Sequence, residues 1–387
     1  MMLRSHHRFA VLSVLMGCGA RTGLDVGTTS TTDAAPAPPP ASLVAGQDYV
    51  CSLVGSDLWC WGNNNAGQLG DGTIVSRALP THILGRVAGV AAGNEVTGVV
   101  RQTGEGGEAE WWGSIRLADA SIVQRLVPTG VGNTSPTLRA FGHTEGYRLY
   151  FADAVGSFSC WGNNANNEFA LGPYQEGVTP DVTLTPVRCP DYDTATQIAG
   201  GSVSVCALFA TGVVKCVGAN NVGQLGDGTG VSRDRLTPVL GVTTARGVAA
   251  DCASLLDGRV RCWGYNKYGE LGDGTTTTRF APVEVVGIRD AVNVSSGIFH
   301  NCALRADATV VCWGRNDHGE LGDGTTTERH TPVAVVGLTD VTELALGMGF
   351  SCARRRDGSV WCWGYNDFGQ LGDGTYVSRP NPAPIKM

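Results

Sequence analysis

Ten cysteines stand in five close pairs, and thiols at such spacing can close disulfides: Cys51/Cys60, Cys206/Cys216, Cys252/Cys262, Cys302/Cys312 and Cys352/Cys362. The chain has 13 cysteines, so setting Cys18 aside leaves an even twelve, as a disulfide framework requires. Cys160 and Cys189 complete the set, and elimination pairs them. Zinc fits poorly, because no C-x-x-C occurs and thiols in separate repeats cannot converge on one ion. Asp71, Asp227, Asp273, Asp323 and Asp373 each sit in Gly-Asp-Gly-Thr. One aspartate per repeat, without the alternating acids of a calcium loop, reads as a turn in which Asp bonds its own backbone. Asn266, Asn316 and Asn366 recur in the same way and read as loop-bonding residues. No Gly-rich phrase carries the Lys of a phosphate loop. No nucleophile is paired with a base, so no catalytic residue, metal or cofactor is expected.

The elements that must position these residues are repeats of about fifty. Cys262-Trp263-Gly264-Tyr265-Asn266 returns as Cys312 to Asn316 and Cys362 to Asn366, each running on to Gly-Glu/Gln-Leu-Gly-Asp-Gly-Thr. The phrase opens at Cys60-Trp61-Gly62, with weaker copies at Trp112-Gly113, Trp161-Gly162 and Cys216-Val217-Gly218. Within one copy the pattern is β: Val310-Val311-Cys312-Trp313 and Val360-Trp361-Cys362-Trp363 are β-branched and aromatic runs between turn signals. Seven copies of four short strands suit an all-β ring, a seven-bladed β-propeller over residues 43–387. Trp61, Trp161, Trp263, Trp313 and Trp363 share one repeat position and read as packing between blades, whereas Trp59, Trp111 and Trp361 are freer to be exposed. His300 falls where other repeats hold Tyr49, Ser204 and Phe350, a tolerant or outward position.

Turn chemistry tests the cysteine pairs. A three-residue loop Arg356-Asp357-Gly358, with Gly in the left-handed position, sets Cys352 opposite Cys362. Leu256-Asp257-Gly258 and Ala210-Thr211-Gly212 do the same for their pairs, and Ala308 stands where the sixth blade wants glycine. The first pair is one residue closer, but the two-residue turn Gly55-Ser56 restores the opposition. In blade two, Gly98 and Trp111 take the two cysteine positions together. In blade three, Tyr147 is expected where the first cysteine would be.

The phrase W-G-x-N-x-x-G-Q-L-G-D-G-T, with T-P-V after it and G-x-x-x-x-C-A-L before the next hairpin, resembles the regulator of chromosome condensation repeat. The resemblance spans about Leu43 to Met387 and weakens between Arg86 and Asp193, where Gly-Asp-Gly-Thr is missing. It implies a seven-bladed propeller. The family's eukaryotic founder exchanges nucleotide on a small GTPase at chromatin, and a secreted bacterial relative inhibits β-lactamases. One fold hosting such different roles transfers little about function.

Composition narrows the choice. Glycine is 55 of 387 residues, twice the usual share, and the net charge of −7 argues against a nucleic-acid partner. The start combines Arg4, His6, His7 and Arg8 with the apolar run Phe9 to Met16, too short to span a bilayer but suited to a signal peptide. Leu15-Met16-Gly17-Cys18 resembles the lipobox of bacterial lipoproteins. It implies residues 1–17 as a signal peptide, Cys18 as a lipidated first residue and 18–42 as a Thr/Ala/Pro-rich tether. The expectation is a monomeric envelope propeller, held at the outer membrane by lipid alone or else secreted. It binds an unidentified protein through blade loops. An inhibitor of a secreted or periplasmic enzyme is the alternative, ahead of a propeller lyase or glycosidase. Because blades two and three abandon the common text, the partner site is expected there, on Glu105, Glu108, Glu110, Trp111 and Tyr174.

Overall fold

The computed structural model describes residues 43–103, 106–116, 121–131, 139–141, 148–153, 156–171, 182–201 and 203–386. These form seven antiparallel sheets, each of four strands consecutive in sequence. Blades one to seven occupy 43–84, 87–130, 139–188, 195–238, 245–284, 291–334 and 341–384. The only helical element among the described residues is a 3-10 turn, Pro190–Tyr192. No helix there is long and apolar enough to cross a membrane.

Strand direction defines two faces. The second strand is joined to the third by a tight hairpin on one face, here the hairpin face. The first-to-second and third-to-fourth connections leave the other, here the clasp face. In blades four to seven the third strand opens with a buried hydrophobe, a half-exposed neighbour and a second buried residue, as in Val360–Gly364. There it ends on a glycine with positive φ, 107° at Gly314 and 100° at Gly364. A Cβ there would lie 2.6 Å from the Phe299 carbonyl or 2.5 Å from that of Gly349, so no other residue fits without a shift. Pairing to the fourth strand skips at this point, between Cys312 and Gly314 for example, and the skipped residue is the repeated Trp.

All six disulfides are present. The five hairpin pairs oppose each other in register with Cα atoms 4.0–4.2 Å apart. Ala308 takes the left-handed conformation expected of glycine, with φ 63°. Cys160 bonds Cys189 across 6.2 Å between Cα atoms. The residue opposite Cys160 is Tyr150 rather than Tyr147. The half-cystines are fully buried and pack against the next blade: Cys252 and Cys262 share a cluster with Trp313, and Cys352 and Cys362 with Trp61. Among the described residues no strand is exchanged to close the ring. Leu43, Ala45, Val50 and Trp61 of blade one pack directly on Ala345, Phe350 and Leu371 of blade seven.

Candidate partner-binding face

The clasp-face loops are built identically in blades one, four, five, six and seven. In blade five, Asn266 is fully buried; its Nδ2 donates to the carbonyls of Thr275 (3.1 Å) and Thr277 (3.0 Å). Its Oδ1 accepts from the Leu271 amide at 2.9 Å. Asp273 accepts from the Thr275 amide (2.9 Å) and hydroxyl (2.7 Å) and pairs with Arg279 at 3.1 Å. Burial pulls the Asp273 carboxyl upward, but the Thr275 and Arg279 bonds outweigh it and hold it below the usual range. The aspartate is therefore a turn residue, as expected, with a partner that sequence reading overlooked. Arg77, Arg233, Arg279, Arg329 and Arg379 each follow their aspartate by six residues, and all five form this ion pair.

The loops also fasten blade to blade. Trp313 Nε1 donates to the Glu270 carbonyl of the preceding blade at 2.7 Å. Trp61, Trp112, Trp263 and Trp363 make the same bond to Gln370, Gln68, Gln224 and Glu320. Trp161 stacks on Phe151 with centroids 4.2 Å apart instead. Blade three keeps half of the loop without its glycines: Asn167 and Ala170 adopt φ of 60° and 54°, and Asn164 Oδ1 accepts from Phe169. Blade four has Val217 in place of the indole, and the hydroxyls of Tyr150 and Tyr192 donate to the Glu168 carbonyl.

Against this frame three blades stand out. At the two solvent-side loop positions where blade one has Asn63 and Ala66 and blade four has Ala219 and Val222, blades five to seven carry Tyr265/Tyr268, Arg315/His318 and Tyr365/Phe368. All six are half-buried, and Phe299 from the neighbouring connection joins them. Tyr268 meets Phe299 edge-on at 5.5 Å, and the Arg315 guanidinium lies 5.6 Å from the Tyr268 ring and 5.7 Å from Phe299. His318 and Tyr365 lie 4.6 Å apart, and Tyr365 meets Phe368 at 6.2 Å. The result is a half-exposed aromatic strip across three adjacent blades.

The residues expected to bind a partner fare differently. Trp111 is fully buried: it fills the position of a core cysteine opposite Gly98, with Arg125 stacked 4.6 Å over its ring. It cannot anchor a surface contact. Glu110 is 7% exposed and paired with Arg101 at 3.2 Å, which removes it as well. Glu108 is exposed beside the blade-two hairpin. Glu105, Tyr174 and Cys18 lie outside the described residues. The strands that flank the first irregular segment, Val96–Thr103 and Gly106–Arg116, are the second and third of blade two, whereas those that flank the other, Phe158–Asn163 and Val182–Arg188, are the third and fourth of blade three. His300 is also inward: it is 1% exposed, bonded to Ser351 Oγ at 2.8 Å, and burial pushes its imidazole down to about 3.

The family model "Regulator of chromosome condensation (RCC1) repeat" matches residues 56–100, 257–304, 307–354 and 357–387. A second model of that repeat matches 291–320 and 341–370. Among curated proteins, the Ultraviolet-B receptor UVR8 of Arabidopsis thaliana is 28% identical over 215 residues, 53% of this chain and 47% of that protein. The chain thus matches about half the length of this relative. Among solved structures, human WBSCR16 superposes with a TM-score of 0.73 at 20% identity, covering 86% of this chain and 94% of that one. Yeast RCC1 (Prp20), solved bound to Kap60, gives 0.72 at 19% identity over 95% and 91%. Prp20p from Saccharomyces cerevisiae, described with its binding to Gsp1p and histones, gives 0.70 at 20% over 90% of each chain. At these identities the structural likeness establishes the fold alone.

Proposed function

We propose that this chain, which belongs to the regulator of chromosome condensation repeat family, is a protein-binding propeller whose contact surface is the aromatic strip of blades five to seven. The observation that carries the reading is positional. The clasp of Asn, Asp, Thr and Arg is the same in five blades, so the loop fold does not require aromatics at the two solvent-side positions. Blades one and four manage with Asn63, Ala66, Ala219 and Val222. Tyr and Arg are favoured interface anchors because they bring large contact area together with a polar tip. The yeast neighbour is described with protein partners, Kap60 in one structure and Gsp1p and histones in another, which supports protein as the class of ligand. The test is affinity capture from native envelope extract with the mature chain, repeated with a Tyr268→Ser/Tyr365→Ser variant. A recovered partner should bind the variant at least tenfold more weakly with unchanged thermal stability; equal binding would move the site elsewhere.

Anchoring at the envelope is the second part of the proposal, supported by the lipobox-like Leu15 to Cys18 and the Pro-rich stretch that follows. Metabolic labelling with a fatty-acid analogue should mark the protein, and Cys18→Ala should abolish the label. Label retained in that variant would leave a secreted propeller.

A further inference from the structure

We infer that a niche at the junction of blades six and seven, lined by His318, Glu320, Gly349, Tyr365 and Asp367, receives an arginine side chain of the partner protein. The inference rests on the protein-binding reading above and gives that partner a chemical requirement. The chain supplies its own template one junction earlier. There Arg315 lies over Tyr268 and Phe299, with Asp317 holding its Nε at 2.6 Å. Shifting each position by one repeat turns Tyr268 into His318, Phe299 into Gly349, Arg315 into Tyr365 and Asp317 into Asp367. The backbone is unchanged, since the Arg315 amide donates to Phe299 at 2.9 Å and the Tyr365 amide to Gly349 at 2.8 Å. Aromatic walls and an outer carboxylate therefore remain, but the cation and the covering phenyl ring are gone. Gly349 is half-exposed, and the atoms nearest to a Cβ placed there would belong to His318 (3.4 Å), Tyr365 (3.6 Å) and Glu320 Oε1 (3.9 Å).

Glu320 is the second, independent observation. Its loop position needs only one acceptor, for the amide two residues back: Gln68, Gln224 and Gln370 serve Ala66, Val222 and Phe368 at 2.9–3.0 Å. Glu320 does the same for His318 at 2.8 Å, yet its other oxygen, Oε1, is buried with no partner among the described residues. The residue is 1% exposed. Burying a carboxylate without a counter-charge is costly, and glutamine would avoid that cost with the same backbone bond. Where blade three uses glutamate, Arg148 reaches Glu168 at 3.0 Å and neutralises it. The Arg315 charge reaches Glu320, but among the described residues none bonds its Oε1, which borders the opening at Gly349. A guanidinium entering there would stack on Tyr365 and His318 and pair with Glu320 and the exposed Asp367.

The probe is N-acetylarginine amide, with N-acetylcitrulline amide as its neutral isostere, titrated into the mature protein and followed by nuclear magnetic resonance of the tyrosine and histidine rings. Saturable binding of the arginine amide, at least fivefold weaker in Glu320→Gln and unchanged in Glu270→Gln, is the expected result. Glu320→Gln should fold with a melting temperature at or above that of the parent, because Gln370 is its precedent in the next blade. Equal binding of the citrulline amide, undiminished binding by Glu320→Gln, or equal loss in both variants would overturn the assignment. The probe needs no partner, so its result stands apart from the capture experiment. A captured partner that tolerates Glu320→Gln but not the tyrosine changes would overturn the niche and leave the strip.

Discussion

Glu270 occupies in blade five the position that Glu320 holds in blade six, with Phe299 at the neighbouring repeat position where the next junction has Gly349. It is 3% exposed, and burial, with the nearby Asp251 charge adding to it, pushes its carboxyl up to about 7 from an ordinary 4.5. The folded chain therefore holds a proton there that the unfolded chain gives up between those values. Stability from this group is complete below pH 4.5 and is lost as pH rises through about 7. Glu270→Gln removes that dependence. The variant should gain roughly 2–3 kcal/mol at pH 8 and nothing near pH 4.5, as read from urea unfolding at the two pH values. An equal gain at both would mean that packing, and not ionisation, carries the effect. His300 illustrates what single positions conceal. Its counterparts Tyr49, Ser204 and Phe350 are chemically unlike, which reads as tolerance, yet all four are buried. Each meets a different neighbour in the next blade: the Tyr49 hydroxyl donates to the Val96 carbonyl, and His300 bonds Ser351. Ser351 spends its own proton on the Glu320 carbonyl, so His300 Nε2 carries the hydrogen. Variability here came from paired packing, which a single repeat cannot display.

Elements were legible wherever the constraint was local. Hairpin length and glycine position fix strand register, so the five hairpin disulfides followed from turn counting. The exchange of two cysteines for Gly98 and Trp111 followed as well. The same reasoning also held the correction: a residue in register with a buried half-cystine is itself buried, so Trp111 had to face the core. The blade-three loop escaped because its markers were glycines, and Asn167 and Ala170 adopt the same left-handed turns. The buried Arg148–Glu168 pair escaped because it joins a strand residue to one in a loop beyond the next strand. Cys160–Cys189 now invites comparison with its sisters. It closes a separation of 29 residues, against 10 for Cys352–Cys362. Chain entropy alone assigns it about 3.5 kcal/mol and each hairpin bond about 2.7. Cys160→Ala/Cys189→Ala should thus lower unfolding free energy more than Cys352→Ala/Cys362→Ala, by about 1 kcal/mol. The reverse order, measured by denaturant titration, would show that native packing around Tyr150 and Tyr192 makes up the difference.

At the scale of the whole ring, six junctions are alike and one is not. Six pairs of neighbouring blades are linked by the chain, as blades five and six are through 285–290. Blades seven and one have no such link and, among the described residues, no shared strand, so non-covalent contacts alone hold that seam. Trp61 donates to the Gln370 carbonyl at 3.0 Å and is fully buried. Arg354, at a strand position that is leucine in blades one, four and six, reaches across to Ser52 Oγ (2.6 Å) and the Leu53 carbonyl (3.1 Å). The backbones also meet, the Met348 amide donating to Gln47 at 2.7 Å. Parting these blades frees both chain ends at once, whereas parting any others must still leave a closed loop. The seam is therefore where the ring should open first. Trp61→Ala and Trp313→Ala remove the same side chain and the same indole bond, each at a cost of about 3–5 kcal/mol, but at the seam and at a linked junction. Native-state hydrogen exchange should separate them. Trp61→Ala should strip protection from Leu43–Ala45 and Val341–Leu346 by at least a hundredfold while the central strands of blades four to six keep theirs. Trp313→Ala should lower protection across the ring more evenly. If the two variants give the same pattern, the ring opens as one cooperative unit and the missing covalent link has no mechanical consequence.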